Sequence, residues 1–174
     1  NKARFAPCIP VADPGWVENV MTLTAQSISK KKRSIGIATY GYEYSVTPLS
    51  EYGFRYKHLW AFNPKYALDL AASLGITPTR NGANEMSFIY IDGTAKAPDA
   101  ADQTNLNDSS LATTSEVKAI AAPGIPSGKF NILWWSDAQA IKDKIDLAKK
   151  LGLRGVSIFK IDGGEDPRMW EVIK

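Results

Sequence analysis

The stretch GVSIFKIDGGEDP, residues 155–167, decides how the rest of the chain is read. Its apolar, β-branched run stops at Ile161, and Asp162, Glu165 and Asp166 follow at once among glycines. A surface hairpin strand would alternate polar and apolar residues. A continuous apolar run bounded by turn residues is the pattern of a strand buried in a parallel sheet. The carboxylates then fall at the strand's C-terminal end, where parallel α/β folds gather their ligands. Two readings of the cluster stand side by side. It is an exit turn whose Glu165 or Asp166 caps a last short helix opened by Pro167, or it is the rim of a site.

Working back from there, FNILWW (residues 130–135) reads as a strand, and SDAQ after it as a capping box with Ser136 at the cap and Gln139 three residues on. The following helix carries Ile141, Ile145, Ala148 and Leu151 on one face and ends at Gly152. Near the N-terminus, Asp13 and Pro14 open a helix whose stripe is Trp16, Val17, Val20, Leu23, Gln26 and Ser27. SIGIATYGYEY then supplies a second apolar strand, with Ile35, Ile37 and Ala38 expected to be buried on both faces. The middle differs in character. NPKYALDLAASLG is a short helix with Asn63 as cap, Pro64 at its first position and Gly75 as stop. EMSFIYIDG alternates Met86, Phe88 and Tyr90 against Ser87, Ile89 and Ile91 before an Asp-Gly turn. Residues 94–111 read as a long surface loop and 115–121 as a brief helix. The alternation of helices and strands predicts an α/β fold with parallel core strands, interrupted by an α+β subdomain over residues 51–129.

Composition narrows the function. The chain has 174 residues, 44% hydrophobic and 22% charged, enough for a core of its own. The net charge is only +3, and its KKKR run at residues 30–33 reads as a solvated turn, so nucleic acid is not an expected partner. A single cysteine, Cys8, excludes an intrachain disulfide, and the single histidine, His58, has no partner at ligand spacing for a zinc site. No metal or cofactor is expected: serine-nucleophile signatures, Walker loops and dinucleotide fingerprints are absent. No apolar run approaches membrane-spanning length. The opening NKARFAPCIP lacks an initiator Met, as expected of a piece of something longer.

Both apolar strands end in clusters that can carry chemistry, TYGYEY (39–44) and KIDGGEDP (160–167). Tyr40, Tyr42, Tyr44, Trp134, Trp135 and Phe159 offer flat apolar faces of the kind that sugars pack against, and the tyrosines add hydroxyls. Trp134 and Trp135 are adjacent on a strand, so they point to opposite faces.

These residues resemble a family. NILWWSDAQAIKDKIDLAKKLGLRGVSIFKIDGGEDPRMW is similar to the closing segment of glycoside hydrolase family 18 barrels, of the chitinase-like and spore-type branches. SIGIATYGYEY resembles their seventh strand, PVADPGWVENVM the segment leading into the helix before it, and LDLAASLG…MSFIYIDG their α+β insertion. The resemblance implies the C-terminal part of a (β/α)8 TIM barrel of about 250 residues. Residues 1–50 would carry a helix and strand seven, 51–129 the α+β insertion subdomain, and 130–174 the last helices and strand eight. It implies hydrolysis of β-1,4-linked N-acetylhexosamine glycans, chitin or peptidoglycan, and an extracytoplasmic, secreted or cell-envelope location. The family's catalytic D-x-x-D-x-D-x-E motif does not occur here, so no residue of this chain is expected to be catalytic and the chain alone is expected to be inactive. The family mechanism uses the substrate's own acetamido oxygen as nucleophile, an exception to the two-carboxylate scheme.

By the same resemblance the carbohydrate-binding residues are Tyr40, Tyr42, Glu43, Tyr44, Glu85 and Phe159. Three positions depart from the family pattern. Phe159 stands where the family has a Trp beneath the central sugar, Ala38 replaces the usual strand-seven proline, and Tyr42 replaces a frequent Arg. The remaining barrel strands would have to come from the missing N-terminal part, or self-association would have to cover the gap. An alternative is a noncatalytic, lectin-like carbohydrate-binding or cell-surface module. A third reading takes Asp162 and Glu165 as the acids of a different barrel enzyme.

Overall fold

The computed structural model describes residues 10–49, 53–91 and 128–174. Cys8, the loop expected over 94–111, the helix over 115–121 and the Asp-Gly turn at 92–93 lie outside the described residues.

The apolar strands meet as the sequence suggests. β1 (Ser34–Ala38) and β7 (Gly155–Phe159) pair in parallel, with Ser34 opposite Gly155 and Ala38 opposite Phe159. One face of this pair, Ile35 and Ile37, packs into a core with Val17, Ile141, Ile145, Leu147, Ala148 and Met169. Those residues come from α1 (Pro14–Thr24), α3 (Ala138–Lys150) and α4 (Met169–Val172). The Asp13 carboxylate accepts the Trp16 N–H at 2.8 Å, and Pro14 stands where no donor is needed.

Two expectations about this core change. Neither strand is buried on both faces, since Ser34, Gly36, Ser157 and Phe159 are exposed on the other side. Gly36 and Ser157 have almost no apolar surface to bury, and among the described residues α1, α3 and α4 pack on the isoleucine side. On α1, only Val17 is fully buried, with Met21 one turn on half-buried beside it. Trp16 and Leu23, expected in the stripe, are 62% and 66% exposed.

The middle of the chain builds a five-stranded antiparallel sheet in the order β3-β2-β6-β5-β4. Its strands are β2 (Gly41–Leu49), β3 (Gly53–Phe62), β4 (Thr79–Arg80), β5 (Met86–Tyr90) and β6 (Phe130–Trp135). α2 (Pro64–Ser73) covers one face, where Ala67, Leu70 and Ala71 meet Phe62, Phe88, Tyr90, Leu133 and Trp135. Trp134 points the other way, among Val46, Phe130 and Ile132. The sheet therefore takes in residues 41–49 and 130–135, which lie beyond both ends of the 51–129 segment. SIGIATYGYEY is two strands, because residues 39–40 interrupt it and the chain turns from parallel to antiparallel pairing. Gly41 makes this crossing possible. A Cβ there would lie 2.5 Å from the Trp134 carbonyl oxygen and 2.6 Å from the Phe62 ring, so any side chain would collide with backbone.

The β4–β5 hairpin is fastened to α3. Arg80 donates to both oxygens of Asp137, at 3.0 and 2.7 Å, and Asn84 donates to Asp143. Glu85 faces Lys144 at 3.5 Å, with both side chains fully buried. The helix cap is Asp137, whose carboxylate accepts the Ala140 N–H at 3.0 Å. Ser136, the expected cap, lies one residue too early, and among the described residues its buried hydroxyl has no partner.

Candidate functional site

At the C-terminal ends of β1 and β7 the rings converge. Tyr40 lies edge-on to Phe159, with centroids 6.3 Å apart, and to Tyr42 at 5.3 Å. From Tyr42 the run continues along β2 to Tyr44 at 6.1 Å, and on β3 to Tyr56, 6.3 Å from Tyr44. His58 stands beside the run, 5.2 Å from Tyr42 and 5.4 Å from Tyr44. The alternation of β2 puts Tyr42 and Tyr44 on one face, and the parallel pair brings Phe159 to the start of the row. Phe159 is 65% exposed. The outcome is a wet-edged track of flat apolar faces and phenolic hydroxyls, suited to a sugar chain.

Burial and a neighbouring hydroxyl keep Tyr40 and Tyr44 protonated. Burial foremost, then the adjoining Tyr42 hydroxyl, pushes Tyr40 up to about 12, and the two hydroxyls are 3.3 Å apart. Tyr44 is also raised, by burial and then by Tyr42. Both remain hydrogen-bond donors through the physiological range.

Two residues expected on this wall are elsewhere. Glu43 points to the α2 side of the sheet and is buried. Its carboxylate accepts from Trp60 Nε1 at 2.7 Å, Tyr66 at 3.2 Å, Asn131 at 3.1 Å, and Tyr90. Burial first, then this carboxylate, raises Tyr66 and Tyr90 far above the ordinary phenol range. Glu85, also buried, accepts the backbone N–H groups of Val11 and Ala12 at 2.8 and 2.9 Å and faces Lys144. Strand alternation explains Glu43, a neighbour of Tyr42 and Tyr44 in sequence but on the opposite face. Glu85 is drawn inward by unpaired amides and a buried ammonium, partners distant in sequence.

The acidic loop divides as well. The Glu165 carboxylate closes the loop on the N–H groups of Asp162 and Gly163, at 2.7 and 2.9 Å, and Asp162 pairs with Lys160. Asp166 accepts from Ala138 N at 3.0 Å and Arg168 Nη2 at 2.7 Å, so it ties the start of α3 to that of α4. Burial alone would raise Asp166, yet the bonds from Arg168 and Ala138 hold it below the usual carboxylate range. Asp137 is likewise held low by Arg80 and Ala140 against the opposing effect of burial. These are structural acids. Sequence reading missed His58 and Tyr56 as members of the track, although the RYKHLW alternation carried the signal. Among the described residues no three His, Cys, Asp or Glu side chains gather as metal ligands, and no helix is long and apolar enough to cross a membrane.

No family model matches the chain, and no curated protein matches its sequence. Solved structures do match its fold. The spore cortex-lytic enzyme SleL of Bacillus megaterium aligns with 97% of the chain at a TM-score of 0.61 and 24% identity. SleL of Bacillus cereus aligns with 98% at 0.62 and 20% identity, and a chitinase of Chromobacterium violaceum with 95% at 0.60 and 19% identity. The chain has the fold of part of a chitinase-like barrel protein. It spans 30%, 31% and 39% of those three chains, so it matches about a third of each.

Proposed function

We propose that this chain forms the substrate cleft of a family 18-like hydrolase of β-1,4-linked N-acetylhexosamine glycans, chitin or peptidoglycan, without supplying the catalytic acid. β1 and β7 are read as barrel strands seven and eight, and the five-stranded sheet with α2 as the insertion between them. The observation that carries the reading is the run Phe159–Tyr40–Tyr42–Tyr44, which starts at the C-terminal ends of the parallel strands and continues along β2. Tyr40, Tyr42, Tyr44 and Phe159 hold the glycan; Glu43 braces the sheet from behind, and Glu85 ties β5's approach to the N-terminal segment and α3.

The acids described above are bonded within the fold, and this same observation favours the noncatalytic carbohydrate-binding reading as second. Titration of N-acetylglucosamine oligomers, followed by NMR, tests the track. Tyr40→Ala and Phe159→Ala are each expected to weaken binding by about three- to tenfold, the worth of one lost ring contact. Unchanged affinity in both variants would remove the track from the site. Release of product from the oligomer by the purified chain would overturn its assignment as cleft without acid.

A further inference from the structure

We propose that His58 makes the ring track selective for glycans that carry carboxylate groups over neutral ones, an inference that rests on the track being the glycan surface. His58 is exposed and lies opposite Tyr44 in the β2–β3 register, so its imidazole belongs to the track face. Its ring is edge-to-face with both Tyr42 and Tyr44, at interplanar angles of 74° and 66°. A sugar lying along those two rings passes within reach of its N–H groups.

Among the described residues no carboxylate faces this imidazole. The groups facing it from β2 are Tyr42 and Tyr44, and from its own strand Tyr56 and Phe54. β6 and β5 place Trp134, Ile132, Phe130, Ser87 and Ile89 on that face. None of these is an acid. Glu43 is turned to the opposite face and bonded there by its own donors. Lys57 and Arg55 lie opposite Ser45 and Thr47, on the Glu43 side, so they add no positive charge to the track. At the far end Lys160 and Asp162 satisfy each other.

Histidine is the side chain whose charge changes between pH 5 and 8. A protonated imidazole at this position is a cation facing solvent beside the sugar-binding surface, where a carboxylate on the ligand supplies a counter-charge. A carboxylate a few ångströms away in a partly solvated site is worth about three- to tenfold in affinity.

The test compares an N-acetylglucosamine oligomer with one of equal length in which N-acetylmuramic acid alternates, titrated against the full chain at pH 5.5 and pH 8. The carboxylated oligomer is expected to bind about three- to tenfold tighter at pH 5.5 than at pH 8, with the neutral oligomer indifferent to pH. In His58→Gln the ratio between the two oligomers becomes the same at both pH values. In His58→Lys the preference for the carboxylated oligomer persists at pH 8, and circular dichroism confirms that both variants are folded. A pH-dependent preference that survives in His58→Gln, or is missing from the parent chain while both oligomers bind, overturns the role of His58 and leaves the track standing. Binding of neither oligomer overturns the track itself, and this inference with it.

Discussion

Glu43 shows how a single side chain can look like a ligand-binding group and belong to the core. Its carboxylate is surrounded by two phenols, an indole and an amide, with no cation among its bonded partners. Donors of this kind are costly when left unpaired in a buried place. Glu43→Leu strips the acceptor from all of them and is expected to cost about 2–4 kcal/mol in stability, seen as a lower urea midpoint with an unaltered slope. Tyr40 offers a second residue-scale check. With its ionisation pushed up to about 12, it keeps its proton while an ordinary phenol at 10.0 has lost it. The unfolded chain therefore releases this proton first as pH rises. The stabilisation is complete below pH 10 and disappears between 10 and about 12. The phenolate absorbance of Tyr40→Phe should lack one phenol's amplitude near pH 12, while the still later titration of Tyr66 and Tyr90 is retained.

Among the elements, α3 carries the heaviest structural duty, because it packs on the parallel pair and also receives the β4–β5 hairpin. The Lys144–Glu85 pair lies fully inside that junction, whereas Lys142 and Asp146, one turn apart on the same helix, stand in solvent at 2.5 Å. Burial makes the difference in consequence. An exposed pair is screened and contributes little. Removing one partner of a buried pair strands the other charge, at about 3–5 kcal/mol. Lys144→Met is therefore expected to lower the thermal midpoint by many degrees, while Lys142→Met leaves it in place. Equal midpoints for the two variants would mean that the junction is not held by charge.

At the scale of the whole molecule the parallel pair is the unusual feature. Parallel strands are ordinarily covered on both faces. Here one face of the pair is exposed and, among the described residues, each strand has a partner on one side only. Phe159 on that face is 65% exposed and Ile161 just beyond it 58%, while Trp16 on α1 and Trp170 on α4, the helices of the other side, are 62% and 46% exposed. Open edges and apolar patches of this kind invite another chain. The proposed occupants are further barrel strands or a second copy. The 174-residue chain on its own is expected to associate in a concentration-dependent manner in the ultracentrifuge. A monomer that stays monomeric and binds no hydrophobic dye would show that this face is content in water.

The sequence by itself determined the local pieces. Asp13, Pro14, Gly75 and Gly152 mark helix ends through chemistry carried within a turn, and apolar patterning located β1, β5, β6 and β7 but not β3 or β4; Asn63 holds the cap position without a side-chain bond. It also brought Tyr40, Tyr42, Tyr44 and Phe159 forward as candidates, since rings at strand ends are visible in one dimension. Tertiary structure decided everything that depends on a distant partner. Pairing of residues 41–46 with 130–135 placed both strands in the antiparallel sheet. The same pairing turned Glu43 inward, and a lysine on another element drew Glu85 after it. His58 joined the track only because β3 folds beside β2. A residue's face on a strand follows from alternation, but which face meets water follows from what packs against the sheet, and that is settled between segments far apart in the chain.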